Sequence, residues 1–317
     1  MEQHQSLIVL VGPTACGKTS LSIKIAQHFD AEIISGDSMQ VYRGMDIGTA
    51  KITQLEQDGI PHHMIDILSP LESFNVADFR IRSESLMKEI HNRNHIPMVV
   101  GGTGLYIDAL LYPYSFPEKT GCCPEIRRRL QAEYQEKGGA VLHRRLSILD
   151  PESATRIHPN DAHRLIRALE VIEQTGQPLR PMRQGKAERS LRPKTAILGL
   201  TMDRNLLYQR IEQRVDQMLD NGLVNEVQGL LNQGIPPEAN SMQGIGYRQI
   251  VAYLNGELKL DEAIDLVKRD TRRFAKRQMT WFKRNQEIHW FDVGHYRVEG
   301  ELLDDAIAYI AGRLKEV

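Results

Sequence analysis

The 317-residue chain is 41% hydrophobic and 26% charged, which excludes fibrous and wholly disordered classes and, at roughly 150 residues per domain, suits two domains. Its 40 Lys and Arg balance 41 Asp and Glu to a net charge of -1, which taken whole argues against a nucleic-acid partner. Three cysteines, two of them adjacent at Cys122 and Cys123, supply neither a disulfide framework nor a paired zinc motif. No apolar run approaches the ~20 residues of a membrane helix, and residues 7–11 are too short a run for a signal-peptide core. A cytoplasmic protein, acting as a monomer and without membrane contact, is the expectation.

In chain order, residues 6–11 read as a buried strand, followed by a glycine-rich turn and a helix from about Gly17 to His28. A second strand spans 31–35 and stops at Gly36, and 62–67 predicts a short third strand. Apolar spacing predicts a helix over 76–92. The run 96–100 reads as a strand, broken by Gly101-Gly102 before a helix through Leu111. Such alternation predicts a parallel α/β sheet. From 113 to 192 the pattern changes. Residues 112–117 are turn-like, then helical spacings occupy 124–137, 140–149 and 160–175, and Pro178, Pro181, Gly185 and Pro193 mark a loop-rich exit. The core resumes with a strand at 195–201, a helix capped by Asp203 and running to Asn221, and further helices. A long helix over 261–284, a strand over 288–293 and a closing helix over 301–315 complete it. The expected organisation is an α/β core, 1–112 with 193–317, interrupted by a helical insertion at 113–192.

Gly12-Pro13-Thr14-Ala15-Cys16-Gly17-Lys18-Thr19 fits G-x-x-x-x-G-K-[ST] between a predicted strand and a predicted helix. Backbone N–H groups and a helix N-terminus suit phosphate oxygens, Lys18 adds a point charge, and the Thr19 hydroxyl suits Mg2+. An ATPase or GTPase usually holds Mg2+ with an acid ending a second apolar strand. Here 96–100 runs into Gly101-Gly102-Thr103 with no acid, so the phosphates expected are a diphosphate outside ATP. Asp37 follows the second strand at the carboxyl edge of the sheet, where ligands bind. Its competing reading is a turn-capping Asp.

With these residues in view, the chain resembles the tRNA dimethylallyltransferase (tRNA isopentenyltransferase) family. The resemblance rests on the phosphate loop, on Asp37-Ser38-Met39-Gln40-Val41-Tyr42, on residues 44–51, and on Pro61-His62-His63. It continues through 101–106, 156–161, 167–170, Gly244-Ile245-Gly246-Tyr247-Arg248-Gln249 and 277–282, in order over nearly the whole chain. It implies a P-loop NTPase-like fold and transfer of a dimethylallyl group from dimethylallyl diphosphate to N6 of the adenosine 3′ of the anticodon in tRNA. The loop and Mg2+ would hold the leaving diphosphate, with ATP not a substrate. Cys16 departs from the small residue, such as Ser, expected there. The resemblance also implies that the insertion grips the anticodon stem-loop, through Arg127 and through Asp161, Ala162, His163, Arg164 and Leu165. It places Ser38, Met39, Gly244 and Arg248 on the RNA side.

The chemistry can be argued beside the resemblance. An adenine N6 lone pair is delocalised into the ring, so a carboxylate accepting its proton helps, and Asp37 is the candidate general base. Lys18, the loop amides, Mg2+ and an arginine would stabilise the departing diphosphate. Arg214 is favoured for that arginine, with Arg210 second. Gln40 and Thr103 are candidates to hydrogen-bond the extruded adenine or its neighbours, helix capping being the competing role for Thr103. Charge is also uneven along the chain. Residues 268–284 carry eight Lys or Arg and one Asp, and Arg269, Arg273, Lys276, Arg277 and Arg284 form a helical stripe suited to RNA phosphates, with Trp281 and Phe282 alongside. His62 and His63 read as structural, and Tyr106 and Leu110 as core or as an apolar wall for a prenyl chain. A small-molecule kinase with the insertion as lid, and a non-catalytic RNA-binding module, are the competing functions. A prenyltransferase of free adenine nucleotides is a nearer competitor, but it needs no extended basic surface.

Overall fold

The structure, a computed structural model, describes residues 6–112, 123–178 and 194–315 apart from 297 and 299. Cys122, the turn expected over 113–117, and Pro181, Gly185 and Pro193 lie outside the described residues. In chain order the elements are β1 (Leu7–Val11), α1 (Lys18–Phe29), β2 (Ala31–Ser35), β3 (His62–His63), α2 (Val76–Asn92), β4 (Ile96–Gly101) and α3 (Gly104–Leu111). Next come α4 (Pro124–Lys137), α5 (Gly139–Leu149), α6 (Pro151–Arg156) and α7 (Ala162–Thr175). The chain then forms β5 (Thr195–Thr201), α8 (Arg204–Asp220), α9 (Leu223–Asn232), α10 (Tyr247–Leu254), α11 (Leu260–Phe282), β6 (His289–Asp292) and α12 (Glu301–Lys315). Two compact units result, Met1–Tyr112 with Ser190–Val317, and Pro113–Arg189.

The first unit is an α/β layer structure on a six-stranded sheet of order β3-β2-β4-β1-β5-β6, with every pairing parallel. Strand side chains alternate between two apolar layers. Leu7, Val9 and Val11 join Tyr106, Phe79 and Phe282 on one face; Ile8 and Leu10 join Ile25, Ile211 and Ile310 on the other. Burial on both faces is why these strands read as continuous apolar runs. The expected third strand shrinks to His62–His63 because Met64 and Asp66 take left-handed φ of 63° and 54°, which no extended strand accommodates. His63 meets the Glu32 carboxylate at 2.6 Å, and His62 Nδ1 lies 2.8 Å from the Ile60 carbonyl, so both are structural.

In the second unit α4–α7 enclose a core of Leu130, Leu142, Leu146, Leu165 and Leu169. Helix α6, absent from the sequence expectation, starts where Asp150 accepts the Ser153 N–H at 3.1 Å with Pro151 at the first helical position. Helix α7 begins at Ala162 rather than 160 because Asp161 caps it, accepting the Arg164 N–H at 3.2 Å.

Candidate active site at the carboxyl edge of the sheet

The phosphate loop leaves β1 in a conformation few sequences allow. Gly12 and Gly17 have φ of 152° and 94°, and Ala15 a left-handed 64°, the succession that turns consecutive N–H groups inward. A side chain at Gly12 would lie 2.9 Å from the Leu200 carbonyl and 3.0 Å from the Cys16 sulfur. Cys16 is itself fully buried, a filler of the loop's underside rather than a ligand group. Lys18 Nζ donates to the carbonyls of Gly12 and Pro13 at 3.0 and 2.7 Å. Thr19, in the first turn of α1, is exposed.

Loop and facing segments enclose a cavity of about 930 Å3 whose lining includes Lys18, Thr19, Lys51, Arg210, Arg214 and Met218. Helix α8 thus brings both candidate arginines to the loop, and they differ in engagement. Arg210 is exposed, whereas Arg214 is half-buried with its guanidinium 3.5 Å from the Thr14 hydroxyl. Burial pulls the Arg214 pKa down and the Asp37 carboxylate opposes that pull, so the two groups share one electrostatic neighbourhood. Arginine remains cationic regardless.

Asp37 fulfils its turn-capping reading with one oxygen only. One oxygen, Oδ1, accepts the Met39 and Gln40 N–H groups at 2.8 and 3.4 Å and makes the turn. Among the described residues no donor reaches Oδ2. Asp37 is placed by an unusually close backbone approach, since a Cβ on Gly101 would sit 2.4 Å from the Gly36 carbonyl oxygen. Only glycine permits this, and it sets Thr103, whose N–H reaches the Gly36 carbonyl at 3.4 Å, beside the Asp37 turn. Thr103 precedes α3 but its hydroxyl makes no cap. Ser38 and Met39 are half-buried, and Gly244 approaches Met39 so closely that a Cβ would lie 2.7 Å from its methyl carbon. The Gln40 amide is already engaged at both ends, accepting from Ser35 at 3.0 Å and donating to the Thr49 carbonyl at 3.3 Å.

Three supporting contacts were not among the sequence expectations. Gln278 on α11 accepts the Thr14 N–H at 2.9 Å and donates to the Gly102 carbonyl at 3.0 Å. Glu226 accepts the N–H groups of Asp46, Ile47 and Gly48 at 2.8, 2.7 and 3.0 Å and the Tyr247 hydroxyl at 2.6 Å, which shapes the loop along the cavity. The buried Lys51 ammonium reaches Asp46 and Asp66, both at 2.5 Å.

Helix α11 corrects part of the basic-stripe expectation. Phe282 is 1% exposed in the core and is no stacking platform, whereas Trp281 is half-buried, its indole donating to the Asp108 carboxylate at 3.0 Å and the Arg284 guanidinium lying 5.9 Å from its ring. Tyr106 likewise stacks on Phe79 at 4.4 Å in the core. Asp270 gathers Arg248 at 2.8 Å, Arg269 at 3.1 Å and Arg273 at 3.8 Å, while Arg273, Lys276, Arg277 and Arg284 stay exposed. In the second unit Arg127 binds the fully buried Glu170 at 2.8 Å, and Leu165 is a core residue at 0% exposure. Its side chain anchors the helix and is corrected as an RNA contact. His163 and Arg164 are exposed; Ala162 and Asp161 are half-buried.

Residues 40–285 match the IPP transferase family. A tRNA dimethylallyltransferase of Bacillus pumilus is 49% identical over 310 residues, covering 98% of this chain and 96% of that protein. Among solved structures, a tRNA isopentenylpyrophosphate transferase of Bacillus halodurans superposes with a TM-score of 0.72 at 45% identity over 98% and 97% of the two chains. A eukaryotic dimethylallyltransferase acting on tRNA gives 0.77 at 28% identity, over 98% of this chain and 81% of the other. With a parallel α/β core, a phosphate loop, a facing carboxylate and relatives matched over nearly their full lengths, this chain belongs to the IPP transferase family.

Proposed function

We propose that the protein transfers the dimethylallyl group of dimethylallyl diphosphate to N6 of the adenosine 3′ of the anticodon in tRNA. The observation that carries this reading is a phosphate loop whose Lys18 and Arg214 make no ion pair among the described residues, facing a carboxylate whose second oxygen has no donor among them. In the transfer, a bond forms from N6 to C1 of the dimethylallyl group while the C1–O bond to diphosphate breaks. The bonding pair leaves with diphosphate, and the N6 proton passes to Asp37 Oδ2. Lys18, Arg214 and the N–H groups of residues 15–19 meet the charge that develops on the leaving oxygens. The exposed Thr19 hydroxyl on the cavity wall is a hard oxygen donor of the kind Mg2+ takes alongside phosphate oxygens. Bound there, Mg2+ would neutralise part of the diphosphate charge.

The adenine enters as an extruded base, beside Thr103 and the 37–40 turn, with Gln40 as a wall already fixed by Ser35 and Thr49. Exposed Arg273, Lys276 and Arg277 supply phosphate contacts that position RNA without reading its sequence, and His163 and Arg164 of the second unit supply others. Among the described residues no helix is long and apolar enough to cross a membrane. We place the reaction in the cytoplasm, where tRNA is the substrate, and take the enzyme to act as a monomer.

The decisive experiment supplies Mg2+, labelled dimethylallyl diphosphate and an anticodon stem-loop, with AMP and ATP as alternative substrates. Label should enter the RNA; label in AMP alone, or γ-phosphate loss from ATP, would refute the reading. Asp37→Asn should retain stem-loop binding within about twofold and lose about 10²- to 10⁴-fold in turnover. Turnover unchanged from wild type would remove the general-base role.

A further inference from the structure

Gln278 is a primary amide buried to 6% exposure on α11, outside every chemical role assigned above. Burying such a group is costly unless both of its ends are satisfied, and here both are satisfied by backbone of separate active-site segments. Its carbonyl oxygen accepts from Thr14 of the phosphate loop at 2.9 Å, and its NH2 donates to Gly102 at 3.0 Å, one residue before Thr103. Room for it is reserved, because a Cβ on Gly102 would lie 2.1 Å from the amide nitrogen. Each partner belongs to one substrate's half of the site. The Thr14 hydroxyl meets Arg214 at 3.5 Å, while the Thr103 N–H meets the carbonyl of Gly36, which precedes Asp37, at 3.4 Å. One helical step on, at the i+3 position that shares a face, Trp281 donates to Asp108 of α3 at 3.0 Å. Two side chains of α11 therefore hold α3 and the turn before it, and one of them also holds the phosphate loop.

We propose that Gln278 is a positioning residue for prenyl transfer, its amide fixing the separation between the phosphate loop and the Asp37–Thr103 side of the pocket and so setting turnover rather than the binding of either substrate. This rests on the function proposed above. The two reacting centres, C1 of the donor and N6 of the acceptor, are held by different segments. A displacement of either by about 1 Å costs on the order of a hundredfold in rate with little change in either binding equilibrium.

Two variants test it. Gln278→Met keeps the volume and removes both hydrogen bonds. Gln278→Glu keeps the acceptor for Thr14 but, when ionised, sets a carboxylate oxygen against the Gly102 carbonyl; protonated, its O–H restores the donor. Prenyl transfer to an anticodon stem-loop is measured with both substrates varied, well below the unfolding temperature of each variant. For Gln278→Met, kcat should fall about 10- to 100-fold with both KM values within about threefold. For Gln278→Glu, the ratio of its kcat to that of wild type should rise as pH falls, as the carboxyl takes up a proton. A kcat for Gln278→Met within about twofold of wild type, or a loss confined to one KM, overturns the proposal. If Gln278→Met does not fold, the Gln278→Glu ratio decides, and a ratio flat with pH overturns it. Absence of transfer by the wild-type protein refutes the underlying function instead, which keeps the two failures distinct.

Discussion

Positive charge is arranged in opposite ways at the phosphate loop and in the helices of the second unit. At the phosphate loop, Lys18 donates to the Gly12 and Pro13 carbonyls and Arg214 to the Thr14 hydroxyl; among the described residues neither makes an ion pair. In α4–α7 four arginines close on two carboxylates: Arg127 and Arg167 on Glu170 at 2.8 and 2.9 Å, and Arg129 and Arg145 on Glu173. Glu170 is fully buried and also accepts the Cys123 N–H at 2.9 Å, so its carboxyl sits below the usual carboxylate range despite the opposing effect of burial. An unpaired cation in a cavity is available to an incoming anion, whereas a paired one fastens helices together. The number of basic residues is therefore a poor guide to anion binding, and their pairing a good one. Helix α11 lies between these extremes. Lys268 and Arg272 are tied to Asp216 and Glu212 of α8 at 2.6 and 2.5 Å, while Lys276 and Arg277 face solvent.

The contrast can be attacked from both sides. The largest effect is expected at the unpaired end. Lys18→Met should cut turnover about 10³- to 10⁴-fold, about 4 to 5.5 kcal/mol of transition-state stabilisation, and leave the melting temperature near wild type. A loss of stability without loss of turnover would reverse the assignment. At the paired end, Glu170→Ala should destabilise the second unit by about 3 kcal/mol, the low end for breaking a buried pair because its arginines are partly exposed and can reach water. Both tryptophans, Trp281 and Trp290, lie in the first unit, so that transition should be visible by circular dichroism and silent in tryptophan fluorescence.

A smaller effect is expected at Glu32, a paired carboxylate within the first unit. Arg93 donates to it at 2.9 and 2.7 Å; this and His63 hold the Glu32 carboxyl down at about 2, against the desolvation that raises it. A depressed folded-state pKa gives stability that is full above the unfolded value near 4.5 and lost as pH falls through about 2. Arg93→Met should flatten that acid limb in urea titrations, by less than the full Glu32 shift because Arg93 is half-exposed and its charge is screened by solvent. An unchanged limb would show the pair to be unimportant. Smallest of all, Arg277→Ala should weaken stem-loop binding by about 0.5 to 1 kcal/mol and lower the salt slope by about one. A loss of more than about tenfold would point to base recognition rather than phosphate contact.

Local pattern carried the strands and the loop. The apolar runs that became β1, β2, β4 and β5 are buried on both faces, and Gly12 to Thr19 is a contiguous motif in its required setting. The same kind of reading put Asp37 just after β2, and it favoured Arg214, which lies on the cavity wall. It failed where a side chain's partner is remote in sequence. Thr14 and Gln278 are 264 residues apart, and the Glu226 clasp spans 178 to 180 residues. It also overvalued Phe282, 1% exposed, because an aromatic beside basic residues on a helix looks the same whether its face is packed or free.

What the sequence determined by itself was therefore local chemistry: a backbone that turns its amides toward phosphate, a lysine and a threonine at its end, and an alternation of apolar runs that builds a parallel sheet. What only the tertiary structure decided was which charges remain unpaired and which segments are fixed to one another. The physical reason is that pairing and desolvation depend on distance in space, and folding brings together residues whose separation along the chain carries no record of that contact.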